Sequence, residues 1–503
     1  MIREEAYINR SDMLRCALCV DAPCDENCPA LKPARLLRNI WFGNEQAAAR
    51  SLSSENHCLT CSAPCERACA RPSEVPIRDL MNRLYYQVRP EAETPIPQDE
   101  SRLACDLCGI PLENPFILAS SVIASTYDMC ARAFDAGWAG ISFKTICTLD
   151  IHEASPRFSA ITGDNGSIIG FKNIEQLSDH SVAENMEIFR RLKKNYPSKF
   201  ILASIMGKNE AEWGELAKLC EENGADAVEL NFSCPNMVED GMGSDIGQVP
   251  ELVERYTRAA KQACSIPVLA KLTPNVADMS PAAEAAVRGG ADGVAAINTI
   301  KSIVRVNPHT YVSAPAVRGQ SAVGGYSGCA VKPIALRFVA ELGHNPALKG
   351  KHISAIGGVE TWKDALEFML LGGSSVQIAT AVMQYGYRII EDLKLGLNMY
   401  LAEKGFSSVK EVIGLGLDSL SGTTDALERD TIVYPSFNKE RCIGCGRCAL
   451  SCMDGGHQAI RMDEHRRPVL NGRNCVGCHL CILVCPQRAI VPAKKRIALN
   501  MRQ

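Results

Sequence analysis

Long apolar runs are missing from this chain: its 503 residues hold no stretch of 18 uncharged apolar residues, so no membrane span is expected. The opening residues, MIREEAYINRSDMLRC, lack the apolar core of a secretion signal, and the expectation is a cytoplasmic protein whose thiols stay reduced. Strong charge of either sign is missing as well. Formal net charge is −3, and the one basic cluster, Lys494, Lys495 and Arg496, reads as a solvated end. Neither nucleic acid nor a membrane surface is therefore an expected partner. No GxGxxG or GxxxxGK[ST] loop follows any strand candidate, which removes the usual dinucleotide and triphosphate cradles. A chain of this length, 46% hydrophobic, is expected to form roughly two to four domains.

Cysteine is abundant, at 24 residues, and sixteen of them fall into four tetrads near the two ends. The C-terminal pair is Cys442, Cys445, Cys448 and Cys452, then Cys475, Cys478, Cys481 and Cys485 before Pro486. This CxxCxxCxxxC spacing, twice over, is that of a two-cluster [4Fe–4S] ferredoxin. Three thiolates on a tight loop grip one cluster and the fourth reaches the other. Cys442, Cys445, Cys448 and Cys485 are expected to hold one cluster, and Cys475, Cys478, Cys481 and Cys452 the second. Met453 stands where a proline often follows the first tetrad. Two zinc sites or a disulfide framework are the competing readings. The N-terminal tetrads are Cys16, Cys19, Cys24 and Cys28, then Cys58, Cys61, Cys65 and Cys69. Iron–sulfur ligation is expected there too, with a zinc ribbon as the alternative.

A proline- and acid-rich stretch, 89–98, reads as a linker, and a polar stretch, 418–435, as a second. The expected domains are a helical iron–sulfur module over 1–90, a central body over 99–417 and a ferredoxin-like module over 434–503. Within the body, eight β-rich runs begin near residues 115, 140, 200, 227, 267, 293, 352 and 375, alternating with helical-period segments at 211–223, 250–263 and 361–371. Eight βα units in this length predict an α/β fold, a TIM (β/α)8 barrel, with a doubly wound sheet as the alternative.

Barrels of this kind build their sites at the C-terminal ends of the strands. Here those ends carry Ala119 and Ser120, Lys144 and Thr145, Asn231, Ser233 and Cys234, Lys271, Asn298 and Thr299, Gly357 and Gly358, and Ala379 and Thr380. The last two pairs stand where barrels bind phosphate through backbone amides. Two lysines inside apolar runs are costly without an anionic or electron-rich partner. A flavin mononucleotide (FMN) across the barrel mouth would supply one, Lys271 facing the pyrimidine end of its ring and Lys144 the ring or ribityl chain. The plainer alternative pairs each lysine with a buried carboxylate such as Glu229.

NFSCPN (231–236), AKLTPN (270–275), AINT (296–299) and GGYSGCAVKPIALR (324–337) resemble the dihydropyrimidine dehydrogenase family. Residues 102–492 look most like the catalytic subunit of the family's bacterial two-subunit members. Residues 1–90 are similar to the N-terminal iron–sulfur module that in the family precedes FAD and NAD(P)H domains, which are absent between the modules here. The resemblance implies reduction of uracil or thymine to the 5,6-dihydropyrimidine, or the reverse, with hydride exchanged between FMN and carbon 6 and a proton carried to carbon 5 by Cys234. It implies Asn209, Asn231, Asn298 and Thr299 as substrate-binding residues, with Asn209 also against the cofactor. It further implies Cys16, Cys19, Cys24 and Cys69 around one N-terminal cluster and Cys28, Cys61 and Cys65 around another. Some relatives complete that second set with a glutamine, where this chain has Arg83, and Cys58 is the candidate replacement.

Asparagine suits a pyrimidine because its carboxamide both donates and accepts, although a lone asparagine more often caps a helix or makes a turn. Segments 237–247 and 302–328 are long enough to act as lids, and Ser327 is expected to help order the loop. Cys105 and Cys108 are expected in a hairpin below the barrel, and Cys130, Cys147, Cys220, Cys264 and Cys329 as small buried residues. The expected partners are a pyrimidine base and a separate electron donor, either an FAD/NAD(P)H subunit or a ferredoxin, and the protein is expected to be an oligomer. Two other functions compete: a dihydroorotate dehydrogenase-like activity, which requires a cation for the orotate carboxylate, and an electron-transfer adaptor without chemistry of its own.

Overall fold

The computed structural model describes residues 10–28, 30–52, 56–71, 75–87, 96–163, 166–236 and 242–499. Most of the first linker (89–95 of 89–98) and part of the first lid segment (237–241) lie outside the described residues. The chain divides into two compact units, Met1–Leu417 and Asp418–Gln503.

Eight parallel strands close into a barrel in the first unit. They are β1 (Phe116–Leu118), β2 (Gly140–Ser142), β3 (Phe200–Ile205), β4 (Ala227–Asn231), β5 (Val268–Lys271), β6 (Gly293–Ala296), β7 (His352–Ile356) and β8 (Ser375–Ile378), each paired with its sequence neighbours and β8 with β1. Every residue of these strands is buried, which is why they read as short apolar runs with no alternation. Helices Glu210–Glu222, Pro250–Ala263 and Trp362–Leu370 match the expected segments to within a residue. Cys105–Leu107 pairs antiparallel with Ile110–Leu112 as the expected hairpin. Cys108 feels Asp292 and Lys351, at the starts of β6 and β7, which puts the hairpin at the N-terminal end of the barrel.

A four-stranded antiparallel sheet lies outside the barrel, in the order Ile300–Ser302, Gly324–Ser327, Ile168–Asn173, Phe158–Thr162. The expected lid segment 302–328 thus begins and ends in paired strands. Lys172, wholly buried, donates to the carbonyls of Ala314 (3.0 Å) and Ala322 (2.7 Å) and so ties the intervening loop to this sheet.

The N-terminal helices pack in the same unit as the barrel. Arg38 donates to Asp392 Oδ2 (2.7 Å) and the Arg388 carbonyl (2.8 Å), while Arg388 donates to the Cys19 carbonyl (2.8 Å). Gly396 is the close-approach point: a Cβ there would fall 2.0 Å from Trp362 and 2.2 Å from Asn44.

In the second unit, Thr431–Phe437 pairs antiparallel with Ile490–Ala498. The polar stretch 418–435 therefore ends in a strand rather than remaining a linker throughout. The Lys494–Arg496 cluster is exposed as expected but sits on the other strand of this ribbon. Among the described residues no helix is long and apolar enough to cross a membrane.

Candidate active site

A cavity of ≈ 1120 Å³ opens at the C-terminal ends of the barrel strands, beneath the four-stranded sheet. Ala119, Ser120, Lys144, Thr145 and Asn231 line it, as do Cys234, Lys271, Asn298 and Thr299. Gly357, Gly358, Ala379 and Thr380 complete the set brought together from β7 and β8.

Asn209 does not line this cavity. Its side chain accepts from the Glu212 N–H (3.1 Å) as the N-cap of helix Glu210–Glu222, and it is exposed. The expectation of a ligand contact is corrected to a helix cap in this structure, the role asparagine favours where the first turn offers free N–H groups.

Cys234 follows β4 and is 7% exposed. Burial pushes its thiol up to about 11, with Glu153 adding to the rise and the Asn236 backbone N–H and Lys271 opposing it. At neutral pH the group is a protonated thiol. The amides beside it form a connected set. Asn231 Nδ2 donates to Thr145 Oγ1 (2.9 Å), and Asn231 Oδ1 accepts from Ser233 Oγ (2.9 Å). Asn298 Nδ2 donates to Ser233 Oγ (2.8 Å), and the Thr299 N–H donates to Asn298 Oδ1 (2.7 Å).

Sequence reasoning left Asn236 without a role. Its Nδ2 donates to Asn173 Oδ1 (3.2 Å) and the Glu175 carbonyl (2.7 Å), tying the Cys234 loop to the overlying sheet. Its buried Oδ1 has no partner in the protein. The signal was its place in the NFSCPN motif, two residues after the thiol.

Both lysines line the cavity, and both are paired with carboxylates. Lys271 Nζ donates to Ser120 Oγ (2.9 Å) and Glu229 Oε1 (3.0 Å). Lys144 Nζ stands 3.3 Å from Glu153 and 3.7 Å from Glu175, which Arg157 also meets at 3.2 Å. Glu175 is pushed up by burial, with Lys144 opposing.

Gly357 and Gly358 have φ of +133° and +78°. A Cβ on Gly358 would lie 2.9 Å from the Gly328 carbonyl and the Lys332 backbone, so only glycine fits this turn at the cavity wall. Ser327 Oγ meets Thr380 Oγ1 (2.9 Å) across the same corner, joining the overlying sheet to the end of β8. Cys329, expected to be buried, is half-exposed and lines the cavity, its Sγ donating to the Ile169 carbonyl (3.2 Å). Cys105 and Cys108 are each pushed up to about 12 by burial, which leaves them poor nucleophiles.

Cysteines of the tetrads lie near one another, although among the described residues no group of three or more side chains is placed closely enough to hold a metal ion as it stands. Cys442, Cys445, Cys448 and Cys485 line one small cavity in the second unit. Cys481 is pushed up to about 11 by burial and then by Cys478, Cys448, Cys475 and Cys452. In the first unit Cys24 is pushed up to about 11 by burial and Asp25, with Cys19 and Cys69 adding to it. Cys58 is raised by burial, Cys28 and Cys61, and Cys65 by burial, Cys28, Glu66 and, against the backbone N–H of Glu66, Cys58. Arg83 turns away to an exposed ion pair with Asp79 (2.8 Å).

Residues 102–401 match the dihydroorotate dehydrogenase family model, and 436–491 match a 4Fe–4S dicluster domain. The chain is 52% identical over 356 residues to the NAD-dependent dihydropyrimidine dehydrogenase subunit PreA of Escherichia coli K12, covering 71% of this chain and 86% of that one. It is 37% identical over 345 residues to the chloroplastic dihydropyrimidine dehydrogenase (NADP(+)) of Arabidopsis thaliana, covering 66% and 81%. It is 40% identical over 319 residues to the dihydroorotate dehydrogenase B (NAD(+)) catalytic subunit of Pyrococcus abyssi, covering 63% and 99%. A flavin on the barrel and [4Fe–4S] clusters in the dicluster domain go with these matches. The chain belongs to the dihydropyrimidine dehydrogenase family of oxidoreductases, built on a dihydroorotate dehydrogenase-type barrel.

Proposed function

We propose that the chain interconverts uracil or thymine and the 5,6-dihydropyrimidine, drawing its electrons from a separate donor protein. The observation that carries this reading is a buried, protonated Cys234 thiol beside the Asn231 and Asn298 carboxamides, in a cavity whose two lysines are already paired. An orotate carboxylate would need a free cation, and among the described residues lining the cavity there is none. A neutral ring needs donors and acceptors instead, and Asn236 Oδ1 and the Asn231 and Asn298 carboxamides offer them.

FMN fits the wall: the glycine-only turn at 357–358 and the Ser327 and Thr380 hydroxyls suit its phosphate, and Ser120, Lys144, Thr145 and Lys271 its ring system. When bound it would exchange hydride with carbon 6. The Cys234 Sγ–H supplies the proton to carbon 5 as the double bond is reduced, and the thiolate takes it back in the reverse direction. Ser233 orients Asn231 and Asn298, so the ring edge meets carboxamides of fixed direction. The overlying sheet, held by Asn236 and the Ser327–Thr380 contact, keeps water from the thiol.

Clusters at both ends would carry electrons to this site. The shared cavity of Cys442, Cys445, Cys448 and Cys485 supports the crossed ligand pattern, and the neighbours of Cys58 support it as the fourth thiolate beside Cys28, Cys61 and Cys65. The match to PreA, named as a subunit, supports a partner that brings the electrons. The anaerobically purified chain, given a chemical reductant, should reduce uracil and leave dihydroorotate unoxidised with a chemical acceptor. Turnover of dihydroorotate alone would refute the proposal.

A further inference from the structure

Beneath Lys271 the barrel interior is polar, which is unusual for a core of layered apolar side chains. Glu229, 0% exposed, accepts from Lys271 Nζ (3.0 Å) and Ser142 Oγ (3.0 Å) on one oxygen and from Gln377 Nε2 (2.9 Å) on the other. Gln377 Nε2 also donates to Ser354 Oγ (3.1 Å), which meets Ser375 Oγ (2.9 Å), which in turn meets His352 Nε2 (2.9 Å). His352 is held down to about 4 by burial, against Asp106, so the column beneath the ion pair is uncharged at neutral pH. Among the described residues Glu229 is the one carboxylate bonded to Lys271 Nζ, and Lys271 lines the cavity.

A fully buried carboxylate is expensive, and well-packed apolar residues would serve a barrel core as well or better. Its geometry gives it a use. Lys271 sits between Glu229 below and the cavity above, so its positive charge is divided between them. We infer that Glu229 is a positioning residue for the redox centre: through Lys271 it sets how strongly the site favours the negative charge of a reduced flavin ring. The inference rests on the reading that FMN lies against Lys271.

The mechanism is electrostatic. With Glu229 ionised, part of the lysine's field is spent on the carboxylate, and the reduced ring is stabilised less. Neutralising Glu229 without changing its shape releases that field upward, and the reduced form gains. Gln377 can present its unpartnered carbonyl to a new amide at position 229, so Glu229→Gln keeps the packing. Ser142→Ala acts in the opposite sense: with one donor fewer, the carboxylate draws Lys271 down more strongly.

The test is the midpoint potential of the bound flavin in the full chain, by anaerobic spectroelectrochemical titration, with the C-terminal clusters as internal standards. Glu229→Gln should shift the reduction equilibrium tenfold or more toward the reduced flavin, about 30 mV for a two-electron couple. Ser142→Ala should shift it the other way, and Glu229→Asp should restore most of the native value. In a Lys271→Met background the effect of Glu229→Gln should vanish, because the two act through one interaction. An unchanged potential in Glu229→Gln and Ser142→Ala, with flavin bound, would overturn the inference. A native chain without flavin, or a Lys271→Met chain with an unshifted potential, would instead overturn the reading beneath it.

Discussion

Replacing Cys234 by alanine removes the protonated thiol that follows β4 beside Asn231 and Ser233, and the pH behaviour of the native enzyme is the sharper half of the test. A positioned general acid contributes about 10²–10⁴ in rate, or about 3–5 kcal/mol of barrier, so Cys234→Ala should slow pyrimidine reduction by that factor. Flavin content should not change, since the Gly357–Gly358 turn and both lysines are untouched. Burial holds the native thiol up at about 11. The acid form is needed for reduction, so the native rate should stay flat through pH 9 and fall only beyond it. Oxidation of the dihydropyrimidine needs the thiolate, which is about 10⁻³ of the population at pH 8 for a group titrating at 11, against about a quarter for an ordinary thiol at 8.5. The reverse rate should therefore climb tenfold per pH unit across this range. Anaerobic stopped-flow observation of the flavin in both directions measures each limb. A Cys234→Ala chain within fivefold of native, or a reduction rate already falling between pH 8 and 9, would refute the assignment.

Cys58→Ala should lose about four of about sixteen irons per chain, or show a three-iron signal in paramagnetic resonance, while Arg83→Ala keeps the full count; an unchanged count in Cys58→Ala would remove it as a ligand. Gly358→Ala puts a Cβ 2.9 Å from the Gly328 carbonyl at a φ of +78°, a strain of about 1–3 kcal/mol that should weaken FMN binding to the deflavinated chain by about tenfold. FMN fluorescence quenching reads that loss, and native affinity in the variant would move the phosphate elsewhere.

The barrel was legible because burial on both faces leaves a parallel strand no choice but an apolar run, and the amphipathic helices between the runs fix their direction. All eight strands stand where those runs begin. The four-stranded sheet above the cavity was not legible. One strand, Gly324–Ser327, reads as a glycine-rich loop, and another, Phe158–Thr162, leaves Phe158 and Ile161 exposed, so neither carries the alternation of a half-buried strand. Their pairing is decided by contacts far apart in sequence. Asn209 was misplaced although its signal was present: an asparagine followed three residues later by Glu212 marks a helix start. The plainer reading of the lysines, pairing with buried carboxylates, is the one visible in the structure, because Glu229 lies two residues before Asn231 on β4 and so shares the barrel interior with Lys271.

That pairing bears on why a thiol suits the proposed role of acid. Around the cavity three cations, Lys144, Arg157 and Lys271, face three carboxylates, Glu153, Glu175 and Glu229. Each of these cations is thus already met by a carboxylate, and Glu360 adds a further acidic side chain to the lining, so no unpaired positive charge among the described residues of the wall favours an anionic ring over a neutral nucleobase. A carboxylic acid at position 234 starts from a far lower intrinsic pKa than a thiol and would rest closer to its charged form, beside Glu153, which already raises the thiol. An imidazolium would have upset the balance in the opposite sense. A thiol is neutral in its resting form, small enough for a site 7% exposed, and ionises only as the proton reaches carbon, when Lys271 and the Asn236 N–H stabilise the thiolate. On the proposed mechanism Glu229 would act on both the acid and the flavin through the same lysine, and a change there should shift the reverse-direction pH profile together with the flavin potential.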